Sequence, residues 1–199
     1  MYKKRILLTG FEPFGENTVN TSYEAVKLVG DIDGFDIKKI CLPVTWGGAV
    51  SALYSAVDEL EPDAVIMCGL AASSNHIRIE RVGINLCGAI KDNEGKLPSE
   101  AGERSIVANA PAAFFSPFDF SSILASLKSE NIPATYSFSA GTYICNLILY
   151  SMLYKDSIEK PLRKTGFIHV PNASEFVSSS GVSLKEIAKA IECAIRNCI

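Results

Sequence analysis

Four stretches of the sequence carry residues whose types and spacing could do chemistry. Cys145 lies in Ser139-Ala140-Gly141-Thr142-Tyr143-Ile144-Cys145-Asn146, where small residues lead out of an apolar run and into a helical pattern. A cysteine in the first turn of a helix meets free backbone N–H groups and the positive end of the helix dipole. Both favour a thiolate and could hold an oxyanion. A core thiol would satisfy the same pattern. His169 ends the apolar run Gly166-Phe167-Ile168-His169-Val170, just before Pro171. It reads either as a satisfied core histidine or as a base at the carboxyl end of a strand, where sites form in α/β folds. Glu80 sits between Arg78 and Arg81 in an extended stretch. A mid-strand carboxylate wants a partner, which could be one of those arginines or an imidazole that it orients. Gly10-Phe11-Glu12-Pro13-Phe14-Gly15 has the glycine spacing of a phosphate loop, but Glu16 and Asn17 stand where Lys and Ser/Thr belong. An internal Pro and Glu also remove a donor and repel phosphate. Phe11 and Phe14 there either pack the turn or line a small apolar pocket. His76, within the polar run after Ser73, reads as a solvated loop residue.

The elements that would position these residues alternate between strand and helix patterns. Strands are expected over Arg5–Thr9, Ile37–Val44, Ala64–Cys68, Ala134–Phe138 and Gly166–Val170. Helices are expected over Thr21–Val29, capped by Asn20 or Thr21, and over Ala49–Leu60, Phe120–Glu130, Gly141–Tyr154 and Ser183–Asn197. Ser183 and Glu186 form a capping-box pattern. Ile77, Ile79, Val82, Ile84 and Leu86 suggest extended chain, with a bend or bulge where the alternation slips between 79 and 82. Residues 91–118 show little periodicity and read as a long excursion with short elements. Repeated strand–helix units predict an α/β fold, a three-layer α/β/α sandwich with a mainly parallel twisted sheet. No linker or repeat divides the 199 residues, so a single domain over 1–199 is expected.

Composition narrows the classes. Nineteen basic and 22 acidic residues give a net charge of −3, with no footprint for nucleic acid or an anionic membrane. No stretch approaches the roughly 18 apolar residues of a membrane span. The basic start is followed by an apolar run too short for a signal peptide, so a cytoplasmic location is expected. The six cysteines form no Cys-x-x-Cys pair and there are only two histidines, so zinc spacing is absent and no metal or cofactor is expected. Cys41, Cys68, Cys193 and Cys198 read as buried, inert thiols.

GFEPFG, IERVGIN, DNEG, SAGTYICN and GFIHVP occur in that order, with Asn20-Thr21-Ser22 and Leu42-Pro43 between. From about Ile6 to Asn172 the chain resembles pyroglutamyl peptidase type I. The resemblance implies a cysteine peptidase that removes an amino-terminal pyroglutamyl residue from peptides through a thioester, without metal. It implies a catalytic triad of Cys145, His169 and Glu80, and a substrate pocket of Phe11, Phe14, Ile90, Tyr143 and Ile144. It also implies a homo-oligomer, a tetramer in the family. Two segments depart from the family pattern. Gly69-Leu70-Ala71-Ala72-Ser73-Ser74 stands where the family has Gly-Gln-Ala-Gly-Gly-Arg. Cys87-Gly88-Ala89-Ile90-Lys91-Asp92-Asn93 lacks the family's Arg near the active site, leaving Arg78, Arg81 or Lys91 as replacements. Two other readings remain at this point: a hydrolase of a related lactam or amide, and a binding or assembly protein that keeps the fold.

Overall fold

The computed structural model describes residues 3–198; Met1, Tyr2 and Ile199, including the start of the basic amino-terminal run, lie outside it. Six strands form one sheet in the order β2-β1-β3-β8-β4-β7. They are β1 (Lys4–Phe11), β2 (Phe35–Leu42), β3 (Ala64–Leu70), β4 (Ile77–Glu80), β7 (Ala134–Ser137) and β8 (Lys164–Val170). β2, β1, β3 and β8 run parallel, whereas β4 pairs antiparallel to β8 and parallel to β7. The short strands β5 (Val82–Ile84) and β6 (Ala113–Phe115) make a separate antiparallel pair.

The strand pleat sends alternate side chains to opposite faces, and each face has its own core. Ile6, Leu8, Ile66, Cys68, Ile168 and Val170 face one layer, built from α1 (Thr21–Leu28), α3 (Phe120–Ser129) and α5 (Leu184–Asn197). Leu7, Val65, Met67 and Phe167 face the other, built from α2 (Gly48–Leu60) and α4 (Ile144–Glu159). The architecture is the expected three-layer α/β/α sandwich. Helix starts follow local chemistry: Asn20 caps α1, Asp119 caps α3, and Ser183 with Glu186 closes a full capping box on α5.

Several boundaries differ from expectation, three of them for a clear local reason. β2 stops at Leu42 because Pro43 follows and has no N–H for the ladder. α4 begins at Ile144, not Gly141, because Gly141 adopts φ +78°, which no right-handed helix accommodates. The slip after Ile79 is a break: Arg81 separates β4 in the main sheet from β5 in the small one. Among the four cysteines expected to be buried, Cys41 is exposed on the edge strand β2, while Cys68, Cys193 and Cys198 are buried.

Candidate active site

The parallel strands β1 and β3 and the start of α4 bring one set of residues together. β1 connects outward to β2, and the chain then returns to place β3 on the other side of β1. In such sheets a crevice opens at the carboxyl ends of the strands where the order reverses. A cavity of about 60 Å³ lies there, lined by Phe11 at the end of β1, Val44 just after β2, Leu70 at the end of β3, and Tyr143, Ile144 and Cys145 at the start of α4. Phe14 and Asn20 complete it. A larger concavity, about 700 Å³, lies between α1, α3 and α5 and contains none of the candidate residues.

α4 presents Cys145 as its second residue. Tyr143 caps the helix with no side-chain hydrogen bond, and the first intrahelical bond is donated by Leu147 N–H to the Tyr143 carbonyl at 3.0 Å. The preceding N–H groups, including that of Cys145, therefore lack intrahelical partners. Cys145 is partly exposed, and its sulfur lies over Gly69 of β3. A Cβ on Gly69 would come within 2.9 Å of that sulfur and 2.6 Å of the Phe167 ring, so only glycine permits this approach.

β8 supplies His169 and β4 supplies Glu80. Phe167 and His169 point to the α4 side of the sheet, and antiparallel pairing sets Arg78 opposite His169 and Glu80 opposite Phe167. The His169 Nδ1 is 2.8 Å from Glu80 Oε1. The carboxylate accepts, so Nδ1 carries the proton and Nε2 is left for the sulfur. Glu80 is 0% and His169 6% exposed. Burial disfavours the imidazolium. The charge and hydrogen-bonding reach of the adjacent Cys145, followed by the Glu80 contact, outweigh it and push His169 from 6.5 up to about 9.

Of the three candidate replacement cations, Arg78 contacts Glu80 and Arg81 packs on aromatic rings. Arg78 Nη2 lies 3.3 Å from Glu80 Oε1 and donates to Ser137 Oγ at 2.8 Å and to the Ser139 carbonyl at 2.9 Å. Arg81 stacks its guanidinium over Phe120, Tyr136 and Phe138. Lys91 is exposed, and its carbonyl accepts from the Tyr143 hydroxyl. His76 is partly exposed and hydrogen-bonds Asn75 and Thr135. Among the described residues no group of three His, Cys, Asp or Glu is placed to hold a metal.

Of the expected pocket residues, Phe11, Phe14, Tyr143 and Ile144 line the cavity, and Ile90 does not. Ile90 is 45% exposed, and its contribution is a carbonyl that accepts from Trp46 Nε1 at 3.0 Å. Trp46 packs edge-on against Tyr143, with centroids 5.3 Å apart, and so ties this loop to the cavity wall. Val44 and Leu70 line the cavity without having been singled out for it. Their signal was available in the sequence: each closes or follows a strand that the α/β pattern makes parallel.

A family model described as pyroglutamyl peptidase matches residues 4–199. The chain belongs to the pyroglutamyl peptidase family. Among its relatives, the pyrrolidone-carboxylate peptidase of Thermococcus kodakarensis is 39% identical, covering 96% of this chain and 94% of its own. That of Finegoldia magna is 40% identical over 96% and 91%. The crystal structure of Bacillus amyloliquefaciens pyroglutamyl peptidase I superposes with a TM-score of 0.91 at 36% identity, covering 98% of this chain and 97% of that one. Pyroglutamyl peptidases are cysteine peptidases with this α/β fold, so the convergence of a cysteine, a histidine and a glutamate has a chemical context.

Proposed function

We propose that this protein hydrolyses the amide bond between an amino-terminal pyroglutamyl residue and the rest of a peptide, using Cys145, His169 and Glu80. The observation that carries the reading is the buried 2.8 Å contact between His169 and Glu80 beside a cysteine at the uncapped start of α4. Glu80 holds the His169 tautomer that keeps Nε2 toward the sulfur. His169 takes the thiol proton, giving a thiolate–imidazolium pair. The sulfur attacks the pyroglutamyl carbonyl carbon. A C–S bond forms, and the carbonyl electron pair moves onto oxygen, facing the N–H groups at the start of α4. The oxyanion collapses, the C–N bond breaks, and His169 gives its proton to the leaving amine. Water then attacks the thioester, loses a proton to His169, and releases pyroglutamate with the thiolate restored.

The cavity suits that acyl group. Phe11, Phe14 and Tyr143 present rings to a neutral five-membered ring, and Val44, Leu70 and Ile144 complete apolar walls. A free ammonium would lose its water there with no carboxylate among the lining side chains to pair with it. The decisive experiment uses a fluorogenic pyroglutamyl amide. Turnover by the wild type, reduced at least ~10⁴-fold in Cys145→Ala and ~10²–10⁴-fold in Glu80→Gln, is expected. No turnover by the wild type, or full turnover by Cys145→Ala, overturns it.

The same reading takes residues 1–199 as one domain, since both cores share the six-stranded sheet. It takes the location as cytoplasmic, where a catalytic thiol stays reduced. No helix among the described residues is long and apolar enough to cross a membrane. It takes the assembly as a homo-oligomer, a tetramer by family resemblance. Exposed Phe115, Tyr136 and Phe138 support this, because exposed aromatic clusters mark contact surfaces. Light scattering at micromolar concentration tests it, and a monomer mass would reject it.

A further inference from the structure

Asn146 follows Cys145 in the sequence and is fully buried in the first turn of α4. Its side-chain amide has three partners, all of them backbone groups of one distant segment. Oδ1 accepts from Ile84 N–H at 2.9 Å, and Nδ2 donates to the carbonyls of Ile84 at 2.9 Å and of Leu86 at 3.0 Å. One donor and two acceptors face the amide, so a single orientation of it satisfies every group. β6 occupies one edge of β5: Ser116 N–H donates to the Arg81 carbonyl, and Asn85 N–H to the Ala112 carbonyl. Along an antiparallel strand the N–H and C=O groups alternate between the two edges, so those of Ile84 turn away from β6. Among the described residues no strand pairs on that side, and Asn146 takes the place of one. The fit is close: a Cβ on Gly83 would come within 3.0 Å of the Tyr150 backbone nitrogen in α4.

β5 also continues the chain of β4. Ile84 lies four residues beyond Glu80, an extended span of about 13 Å. Arg81, between them, is held at both ends, its N–H by the Ser137 carbonyl and its carbonyl by Ser116 N–H. A segment pinned in this way transmits a displacement instead of absorbing it. Two residues past Leu86, Gly88 N–H donates to the Thr142 carbonyl at 2.8 Å and holds the approach to the same helix start.

We propose that Asn146 is a positioning residue: its amide ties the helix start that carries Cys145 to the chain that carries Glu80, and so sets the reach between the sulfur and the His169 imidazole that Glu80 holds. The inference rests on the roles given to those three residues above. Asn146 acts through them. Without its amide, the Ile84 N–H and the Leu86 carbonyl lose a buried partner, and the segment draws back from α4. The sulfur and the imidazole then part, and misplacement on the order of 1 Å can cost about 10²-fold in rate.

The test combines kinetics on the fluorogenic pyroglutamyl amide with alkylation of Cys145 by iodoacetamide at neutral pH, followed by mass spectrometry. Asn146→Leu, similar in size but apolar, is expected to lower kcat about 10–100-fold with KM changed less than about threefold. It should also slow alkylation of Cys145 about tenfold, because the base no longer meets the thiol. Asn146→Asp keeps the shape but turns a carboxylate toward two carbonyls, and should lose activity in the same way. Tyr150→Phe removes the other side-chain tie between α4 and this segment, the 2.6 Å bond to the Pro111 carbonyl one turn further along. It should lower Tm while kcat and Cys145 alkylation stay within about twofold of the wild type. Unchanged kcat and alkylation in both Asn146 variants, a rise in KM alone, or an equal loss in Tyr150→Phe overturns the proposal. If neither Asn146 variant folds, hydrogen exchange on the wild type decides: Ile84 N–H should exchange as slowly as the amides of α4, and exchange at the rate of an open loop removes the tie. A wild type that alkylates readily but leaves the pyroglutamyl amide intact defeats the peptidase reading, while the alkylation comparison still tests Asn146.

Discussion

Glu80 Oε1 receives two donors, His169 Nδ1 and Arg78 Nη2, while its Oε2 is buried without a partner. Arg78 therefore divides the carboxylate's charge between itself and the imidazole. Replacing it by serine removes a cation near His169 and leaves more of that charge for the ring. The expected outcome for Arg78→Ser is an alkaline limb of kcat/KM moved to higher pH, with kcat/KM lowered about tenfold through loss of Glu80 positioning; a pH–rate profile measures both. The histidine can also be followed directly, because the chain contains only two. Proton NMR should show one imidazole titrating near 9 in the wild type, and the Cys145→Ala variant should bring it down, since the sulfur is the largest cause raising it. The sign for stability follows from linkage. His169 moves up from 6.5 to about 9 on folding, so its contribution is complete below about 6.5 and is lost as pH rises through 9. Denaturant titrations between pH 6 and 10 should flatten in His169→Asn relative to the wild type.

At the scale of elements, the site depends on how closely α4 approaches β3. Gly69→Ala places a methyl against the Phe167 ring and the Cys145 sulfur. A fold that survives must move the sulfur by several tenths of an ångström, and misplacement on the order of 1 Å can cost about 10²-fold. The expected result is a loss of about 10–100-fold in kcat with an unchanged circular dichroism spectrum. What the sequence revealed of these elements divides along the same line. β1, β3, β8 and the helix caps were legible because apolar runs and capping residues act locally. The end of β2 and the start of α4 shifted by two and three residues because Pro43 and Gly141 override the periodicity beside them. The direction of β4 was not legible, since pairing partners are chosen by distant strands. Glu80, Cys145 and His169 could be nominated from motif order, but their meeting depends on that direction. Ile90 faces out because its loop is held through its carbonyl, a backbone contact to which side-chain type is silent. Leu70 and Val44 become cavity walls only through the strand order.

For the molecule as a whole, the two faces of the sheet divide the work. The proposed catalytic residues lie on the α2–α4 side, and α5 closes the other core. Stability should therefore be separable from activity. Ser183→Ala removes the α5 capping box, about 1 kcal/mol by comparison with other caps, and should lower Tm by about 2–4 °C while leaving kcat/KM intact. Thermal melts and kinetics on the same preparation would decide.

β8 hydrogen-bonds β3 on one side and β4 on the other, yet it is the last strand in the chain. Glu80 is separated from His169 by 89 positions. A ribosome that has delivered β3, β4 and α4 has already released the cysteine and the glutamate, but the base between them is still inside the exit tunnel or unmade. The nascent chain carries an ordinary thiol until residues 164–170 thread into the gap at the centre of the sheet. Under the proposed mechanism, closure of the sheet and arming of the nucleophile are then a single event, and an interrupted translation product is catalytically mute.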